Sequence, residues 1–113
     1  MANLYIVEYT GAGQQQGGVM PALKGYVGNQ SIALANAHAE TQKDFTKNTE
    51  ILRLKNEGAV TCYYKLGPAA TLSSYPATTS DRPLLPGEVE DIDIIDVIRK
   101  LGEVGLRLSV VTA

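Results

Sequence analysis

A chain of 113 residues has the length of one domain and can bury roughly two thirds of its unfolded surface, enough for a core without a metal or a disulfide. Ten Lys and Arg residues against twelve Asp and Glu residues give a net charge near −2, which argues against a nucleic-acid partner. The apolar stretches are too short to span a membrane, and the single cysteine, Cys62, excludes an internal disulfide and indicates synthesis in a reducing cytosol.

The N-terminal region combines a strand with a glycine-rich tract. Residues 4–9, LYIVEY, are β-branched and aromatic and predict a strand. Residues 11–18, GAGQQQGG, cannot bury enough apolar surface to offset the entropy of ordering them. We therefore predict that residues 1–18 form an N-terminal strand or arm with a flexible Gly/Gln linker, and that residues 19–113 form the folded domain. Such an arm could pair with a neighbouring copy.

The next segments predict short strands. Residues 19–28 are interrupted by Pro21 and two glycines, so at most a short edge strand is expected there. Residues 30–34 alternate and predict a strand. Residues 33–45 contain helix-favouring alanines but no apolar stripe of period 3.6, which favours a strand followed by a polar crossing that ends at Phe45.

Two alternating runs, residues 51–55 and 60–66, are joined by the turn sequence Asn56-Glu57-Gly58. Gly58 suits a positive φ, and two such runs joined by a short loop containing glycine are typical of a β-hairpin. Each run has one apolar face, made of Leu52 and Leu54 in the first and of Val60, Cys62, Tyr64 and Leu66 in the second.

The remaining chain predicts a long loop and two strands. Residues 68–86 hold four of the five prolines and predict a loop with at most one short strand. Residues 88–105 fit a helix by the threefold spacing of their apolar residues and a strand by the alternation at Ile92 and Ile94. We favour a strand over residues 90–95 and then a helical turn to residue 101. Residues 106–113 alternate and predict a closing strand.

Seven or so short strands separated by turn signals predict an all-β fold. The expected architecture is a single small β-sandwich or barrel, jelly-roll-like, with one short helical turn near residues 95–101.

The side chains capable of catalysis are few. The one histidine, His38, lies among alanines and polar residues without a nucleophile pattern, and Cys62 lies in an apolar run where burial is expected. A Cys62–His38 dyad would need a third, orienting group, and one Cys with one His cannot supply a zinc site. We predict a protein that is not an enzyme, with no catalytic residue, no cofactor and no metal site.

Two further patterns are weak signals for a ligand. The segment 88–96 is rich in acidic residues, whose carboxylate oxygens at alternate strand positions could bind calcium. The spacing of these residues is not that of an EF-hand loop, so a solvated acidic face is favoured. The acidic residues are Glu88, Glu90, Asp91, Asp93 and Asp96. Gly11-x-Gly13 follows a strand as in a dinucleotide fingerprint, but its third glycine is misplaced and no βαβ unit is predicted.

The order of features along the chain resembles a known set of proteins. Phe45 and a strand containing Arg53 precede a small-residue strand that ends at Gly67, and Pro68-Ala69-Ala70-Thr71 follows. A Ser/Thr-rich loop, an acidic strand over residues 88–94 and a valine-rich closing strand complete the order. This order, together with the opening MANLYIVEYTG, resembles short structural proteins of tailed bacteriophages that are encoded beside the major capsid protein.

The resemblance implies a non-enzymatic virion protein, above all a head decoration or cement protein that binds the outer capsid surface and stabilises it. It implies the major capsid protein as partner, a homo-oligomer such as a dimer or trimer, and a location in the virion after assembly in the host bacterial cytoplasm. Two alternatives stay open: a tail, connector or fibre-associated β module of the same virion, and a small non-viral binding domain.

The expected partner-binding residues follow from the predicted arm and from exposed aromatics. An extended arm that adds to a sheet edge binds through backbone hydrogen bonds, and exposed tyrosines are common interface anchors. These residues are Leu4, Tyr5, Ile6, Val7, Tyr9, Tyr63 and Tyr75.

Overall fold

The computed structural model describes residues 2–12, 23–35, 37–101 and 105–112. These residues form eight strands and one short helix. In chain order the elements are β1 (Asn3–Ala12), β2 (Leu23–Ala33), β3 (Ala39–Glu40), β4 (Ile51–Asn56), β5 (Cys62–Pro68), β6 (Arg82–Leu84), β7 (Val89–Asp93), α1 (Ile95–Leu101) and β8 (Leu106–Val111).

The strands form two four-stranded antiparallel sheets, which confirms the predicted all-β sandwich. Sheet A has the order β2-β1-β4-β7, and sheet B has the order β3-β8-β5-β6. A jelly roll with strands lettered B to I has the sheets B-I-D-G and C-H-E-F. The same order results here when β2 to β8 are taken as B to H and β1 as I. The fold is therefore a jelly roll in which the first strand of the chain occupies the place of the last.

Apolar side chains from the facing sides of both sheets form the core. Leu52 and Leu54 of sheet A and Leu108 of sheet B are fully buried, and the same core cluster includes Ile94, which precedes α1, and Ile98 of α1. Because strand side chains alternate between the two sides of a sheet, each of these strands has one apolar side and one mixed side. Each fully buried leucine contributes about 1.5–3 kcal/mol to stability.

The prediction that the first strand leaves its domain as an arm is wrong. β1 lies inside sheet A, paired with β2 on one side and with β4 on the other. Its residues Leu4 and Ile6 are fully buried in the core. A strand that satisfies both hydrogen-bonding edges and one apolar face within its own domain has nothing left to offer as an arm. The linker predicted over residues 11–18 is wrong for residues 11 and 12, which belong to β1, and its residues 13–18 lie outside the described residues.

The predicted hairpin of residues 51–66 is also wrong. β4 pairs with β1 and β7 in sheet A, whereas β5 pairs with β6 and β8 in sheet B. The short segment between them crosses from one sheet to the other, so that their apolar sides face each other across the core. Gly58 does not adopt a positive φ; among the described residues Gly25, Gly87 and Gly105 do.

Several element boundaries differ from those predicted. β2 joins two predicted pieces into one strand of 11 residues, and the strand expected after residue 33 is reduced to the two residues of β3. The long loop contains one short strand, β6, as predicted. The change from strand to helix near residue 94 is confirmed, with β7 ending at Asp93 and α1 spanning Ile95–Leu101.

Two glycines with the same backbone strain differ in the space around them, which gives a matched pair of substitutions. Gly25 and Gly87 have φ values of 74° and 76°. A Cβ at Gly25 would lie 1.7 Å from Oγ1 and 2.9 Å from Cβ of Thr10, whereas a Cβ at Gly87 would meet nothing within 4 Å. We expect Gly87→Ala to lower the free energy of unfolding by about 1 kcal/mol through backbone strain alone.

Gly25→Ala is expected to lower the free energy of unfolding by about 1–2 kcal/mol more than Gly87→Ala does. Rotation of the Thr10 side chain moves its hydroxyl away but does not relieve the contact between the new Cβ and the Cβ of Thr10. Urea denaturation of both variants and the wild type measures the difference. Equal losses for the two variants would contradict the crowding at Gly25.

Candidate binding surface

The outward side of sheet A presents a row of aromatic and aliphatic side chains. In β1 the side chains of Tyr5, Val7 and Tyr9 point away from the core, because they alternate with the buried Leu4, Ile6 and Glu8. Cross-strand neighbours extend the row onto β2, β4 and β7. We call this surface the tyrosine face; its apolar residues are Tyr5, Val7, Tyr9, Tyr26, Ile51 and Val89.

Two of the tyrosines are fixed in orientation by neighbouring side chains. The rings of Tyr9 and Tyr26 meet edge to face with centroids 6.3 Å apart, an arrangement favoured by aromatic quadrupoles. The side-chain amide of Asn29 donates a hydrogen bond to the Tyr26 hydroxyl. Even so, Tyr26 is 61% exposed and Tyr5 is 43% exposed. The face therefore offers aromatic area that is exposed and already oriented.

The charges in the middle of the tyrosine face neutralise each other. Arg53 on β4 and Asp91 on β7 are cross-strand partners, and two hydrogen bonds of 2.7 and 2.9 Å join the guanidinium to the carboxylate. The hydrogen bond to Asp91 raises the pKa of Arg53 above its usual value. A bidentate pair of this kind presents little net charge to a partner.

The outward side of sheet B is covered. Residues 69–81 pack on it, with Leu72 and Ala77 buried, and the Ala77 backbone N–H donates a 3.0 Å hydrogen bond to the Ser109 hydroxyl. Ser109 and Val111, whose side chains leave sheet B on that side, are buried as a result. The two sheets thus differ, and sheet A has the more accessible outer face.

The predicted partner-binding residues are divided among four places. Tyr5, Val7 and Tyr9 lie together on the tyrosine face, whereas Leu4 and Ile6 are in the core and cannot contact a partner. Tyr63 is half-buried on β5 in the other sheet, and Tyr75 is 70% exposed on the loop that covers that sheet. The structure therefore brings three of the seven together.

Tyr26 is the main residue of this surface that the sequence prediction missed. It lies in a segment broken by glycines, which predicted only a short edge strand. The alternation of residues 4–9 separates Tyr5, Val7 and Tyr9 from the others, but alternation alone does not show that Tyr26 pairs with Tyr9.

The structure separates the two residues of the conceivable dyad. Cys62 is fully buried between the sheets, and burial raises the pKa of its thiol from about 9 to about 11. His38 is exposed in the segment before β3. The cleft beside α1, about 350 Å³ in volume, is lined by charged, polar and aliphatic side chains that include Lys47, Glu50 and Arg99, without histidine or cysteine.

The acidic residues of β7 are dispersed over both sides of sheet A. Glu90 points inward, where it accepts hydrogen bonds from the Tyr64 hydroxyl and, at 2.7 Å, from Arg82. Asp91 points outward to Arg53, and Asp93 accepts a hydrogen bond from the backbone N–H of Ile95 at the start of α1. The prediction of one solvated acidic face is wrong for Glu90 and Asp91. In the described part of the chain, no group of three His, Cys, Asp or Glu side chains could hold a metal ion.

Comparison with known proteins identifies no relative. No family model matches the chain, and neither a curated protein nor a solved structure matches it. Of the helices that the structure describes, none has the length and apolar character needed to cross a membrane. The features that bear on function are therefore the geometry of the surface and the resemblance in sequence order.

Alkaline pH is expected to destabilise the fold through two buried acids. Burial raises the pKa of Cys62 to about 11, and burial together with the hydrogen bond to Glu90 raises the pKa of Tyr64. Both groups bind their protons more tightly in the folded state than in the unfolded state. The stabilisation from Cys62 is therefore complete below pH 9 and is lost as the pH rises from 9 to 11, by about 2–3 kcal/mol.

Urea denaturation at pH 7, 9 and 10.5 measures this loss, and Cys62→Ala is the matched variant. The variant is expected to be less stable at pH 7 but to lose less stability between pH 9 and 10.5. An identical pH dependence for the two proteins would show that Cys62 does not contribute.

Proposed function

We propose that this protein is a non-enzymatic structural component of a tailed-bacteriophage virion, a decoration or cement protein that binds the outer surface of the capsid and stabilises it. The observation that carries the proposal is the tyrosine face: an exposed sheet surface with oriented aromatic rings and an internally neutralised ion pair. The resemblance of the sequence to phage structural proteins supplies the nature of the partner.

The rigidity of the face supports a role in binding. β1 has strands on both sides, so the positions of Tyr5, Val7 and Tyr9 are fixed by two ladders of backbone hydrogen bonds. A tyrosine has only two side-chain torsions, and ordering it on binding costs little entropy. A surface that is already ordered therefore retains more of its interaction free energy as affinity.

The particle supplies many equivalent sites for such a face. A capsid repeats its surface by symmetry, and an oligomer that engages several copies at once gains avidity from modest single contacts. Jelly rolls also occur in viral capsid domains, although they serve other functions too, so this likeness in fold adds weight only by analogy.

Quantitative mass spectrometry of purified virions, with heads and tails separated, tests the proposal. We expect the protein in the head fraction at a copy number close to that of the major capsid protein. Detection with tails alone would replace the proposal by a tail, connector or fibre-associated module. Absence from both fractions would overturn a role in the virion.

The stabilising role has its own measurement. Heads produced without the protein are expected to release their DNA at a lower temperature than complete heads, and adding the purified protein should restore the difference. Heads that bind the protein without any gain in thermal stability would contradict the cement role while leaving binding intact.

A further inference from the structure

The four outer edges of the two sheets are protected to different degrees. Unpaired strand edges attract other strands, and natural proteins guard them with short strands, prolines or charges. In this fold β3 has only two residues, β6 contains Pro83, and β7 carries three acidic residues among five. Three of the four edges are therefore guarded by shortness, proline or charge.

The β2 edge is different. β2 is 11 residues long, contains no proline, and pairs with β1 alone among the strands that the structure describes. The register shifts between Glu8 and Tyr9, which leaves Val27 of β2 as an extra, bulged residue. Beyond this bulge, residues 28–33 pair regularly with β1 and carry no charge. These six residues form an edge whose one recognisable guard is the bulge that precedes them.

A cleft of about 360 Å³ lies along this edge. It is lined by Asn29, Gln30 and Ser31 of β2 and by Gln42 and Lys43 of the segment after β3. The Gln30 side chain fixes that segment, because it donates to the Lys43 carbonyl at 3.0 Å and accepts from the Lys43 N–H at 3.1 Å. The edge is thus held in place and bordered by amide and hydroxyl groups that can bond to an incoming strand, with Lys43 as the one charged residue of the cleft.

We propose that the β2 edge pairs antiparallel with the β2 edge of a second copy of this chain over residues 28–32, forming a continuous eight-stranded sheet across a two-fold axis. An antiparallel pair of identical strands is self-complementary, since each contact occurs twice. A register centred on Gln30 places Asn29 opposite Ser31 and Gly28 opposite Ile32. No like charges oppose each other within these five residues, and inward side chains meet inward side chains as a continuous sheet requires.

The dimer would carry both tyrosine faces on one side of the joined sheet. The paired segment is roughly 17 Å long, which is small for a protein interface, so an affinity in the micromolar range is expected. The proposal concerns the oligomeric state of the free protein and does not depend on capsid binding, so either one can fail alone.

Sedimentation equilibrium from 1 to 200 µM tests the proposal with a matched pair of variants. Asn29→Lys with Ser31→Lys places four lysines around the two-fold axis, and Ser73→Lys with Ser74→Lys adds the same charge on the exposed covering loop. We expect the wild type and the loop variant to dimerise and the edge variant to stay monomeric. A monomeric wild type at 200 µM, or an edge variant that dimerises like the wild type, would overturn the proposal.

A cross-linking experiment keeps the test decisive if the edge variant folds poorly, which circular dichroism would reveal. Asn29→Cys and Ser31→Cys proteins, mixed and oxidised, are expected to form an interchain disulfide at least tenfold faster than Ser73→Cys protein at the same concentration. The native Cys62 is fully buried and does not compete. A rate no higher than that of the Ser73→Cys control would overturn the pairing.

Discussion

Replacing Asn56 with alanine is expected to lower the free energy of unfolding by about 3–4 kcal/mol. Asn56 is fully buried at the end of β4, and its amide donates 2.9 Å hydrogen bonds to the carbonyls of Val60 and Leu84. Its side-chain oxygen accepts a 2.8 Å hydrogen bond from the Gly58 N–H. The side chain thus joins sheet A, the crossing segment and β6 of sheet B.

The size of the loss follows from what alanine leaves behind. Two carbonyls and one N–H lose their partner in or near the core, and each unsatisfied buried polar group costs about 1–3 kcal/mol, reduced where water can enter. Urea denaturation measures the effect, with Asn48→Ala at an exposed position as the control, expected within 0.5 kcal/mol of the wild type (about the range for surface changes).

Asn56→Asp extends the test. At neutral pH it places a carboxylate opposite two carbonyl oxygens and removes both donors, so it should destabilise at least as much as alanine. A loss below about 1 kcal/mol for Asn56→Ala would mean that the two sheets are held together without this residue.

Replacing Tyr26 with alanine is expected to weaken binding to capsids about 10- to 100-fold, if the proposed function holds. Truncating a central aromatic anchor of an interface commonly costs 2 kcal/mol or more. Tyr75→Ala is the matched control, because the two tyrosines are similarly exposed, at 61% and 70%, but Tyr75 lies on the loop over the other sheet. We expect Tyr75→Ala to change the affinity by less than about threefold.

Co-sedimentation with heads that lack the protein measures both affinities. Unfolding curves should show each variant within about 1 kcal/mol of the wild type, because both side chains are mostly exposed. If Tyr75→Ala weakened binding more than Tyr26→Ala, the covering loop and not the tyrosine face would be the contact surface. Equal binding by all three proteins would exclude both tyrosines as anchors.

The candidate surface could be predicted only in part. The alternation of residues 4–9 sorts Tyr5, Val7 and Tyr9 to one side, yet it does not say which side is buried. The charge of Glu8 suggests that the side of β1 carrying it faces solvent. The Glu8 side chain is instead buried, and it accepts hydrogen bonds from the Thr46 N–H and the Thr49 hydroxyl. Those two donors are about 40 positions away in sequence, and no pattern in the residues around Glu8 indicates them.

The misplaced arm and hairpin have the same origin. The glycine-rich tract after β1 and the short turn after β4 are local signals. The first led to the prediction of an arm, and the second to the prediction that two neighbouring runs pair with each other. β1 instead pairs with β4, more than 40 residues later, and β5 pairs with β8 at the far end of the chain. Each of these pairings has to compete with every other strand of compatible alternation.

The features that can be predicted from the sequence are local: the all-β class, the alternating strands, the change from strand to helix near residue 94 and the burial of Cys62. These follow from side-chain periodicity and backbone preferences within a few residues. Three further features are visible only in the folded molecule: the sheet that each strand joins, the side of β1 that faces the core, and the contact between Tyr26 and Tyr9. Backbone hydrogen bonds form equally well between strands that are near or far apart in sequence. The choice of partner is therefore fixed only when the apolar sides of all strands are buried together.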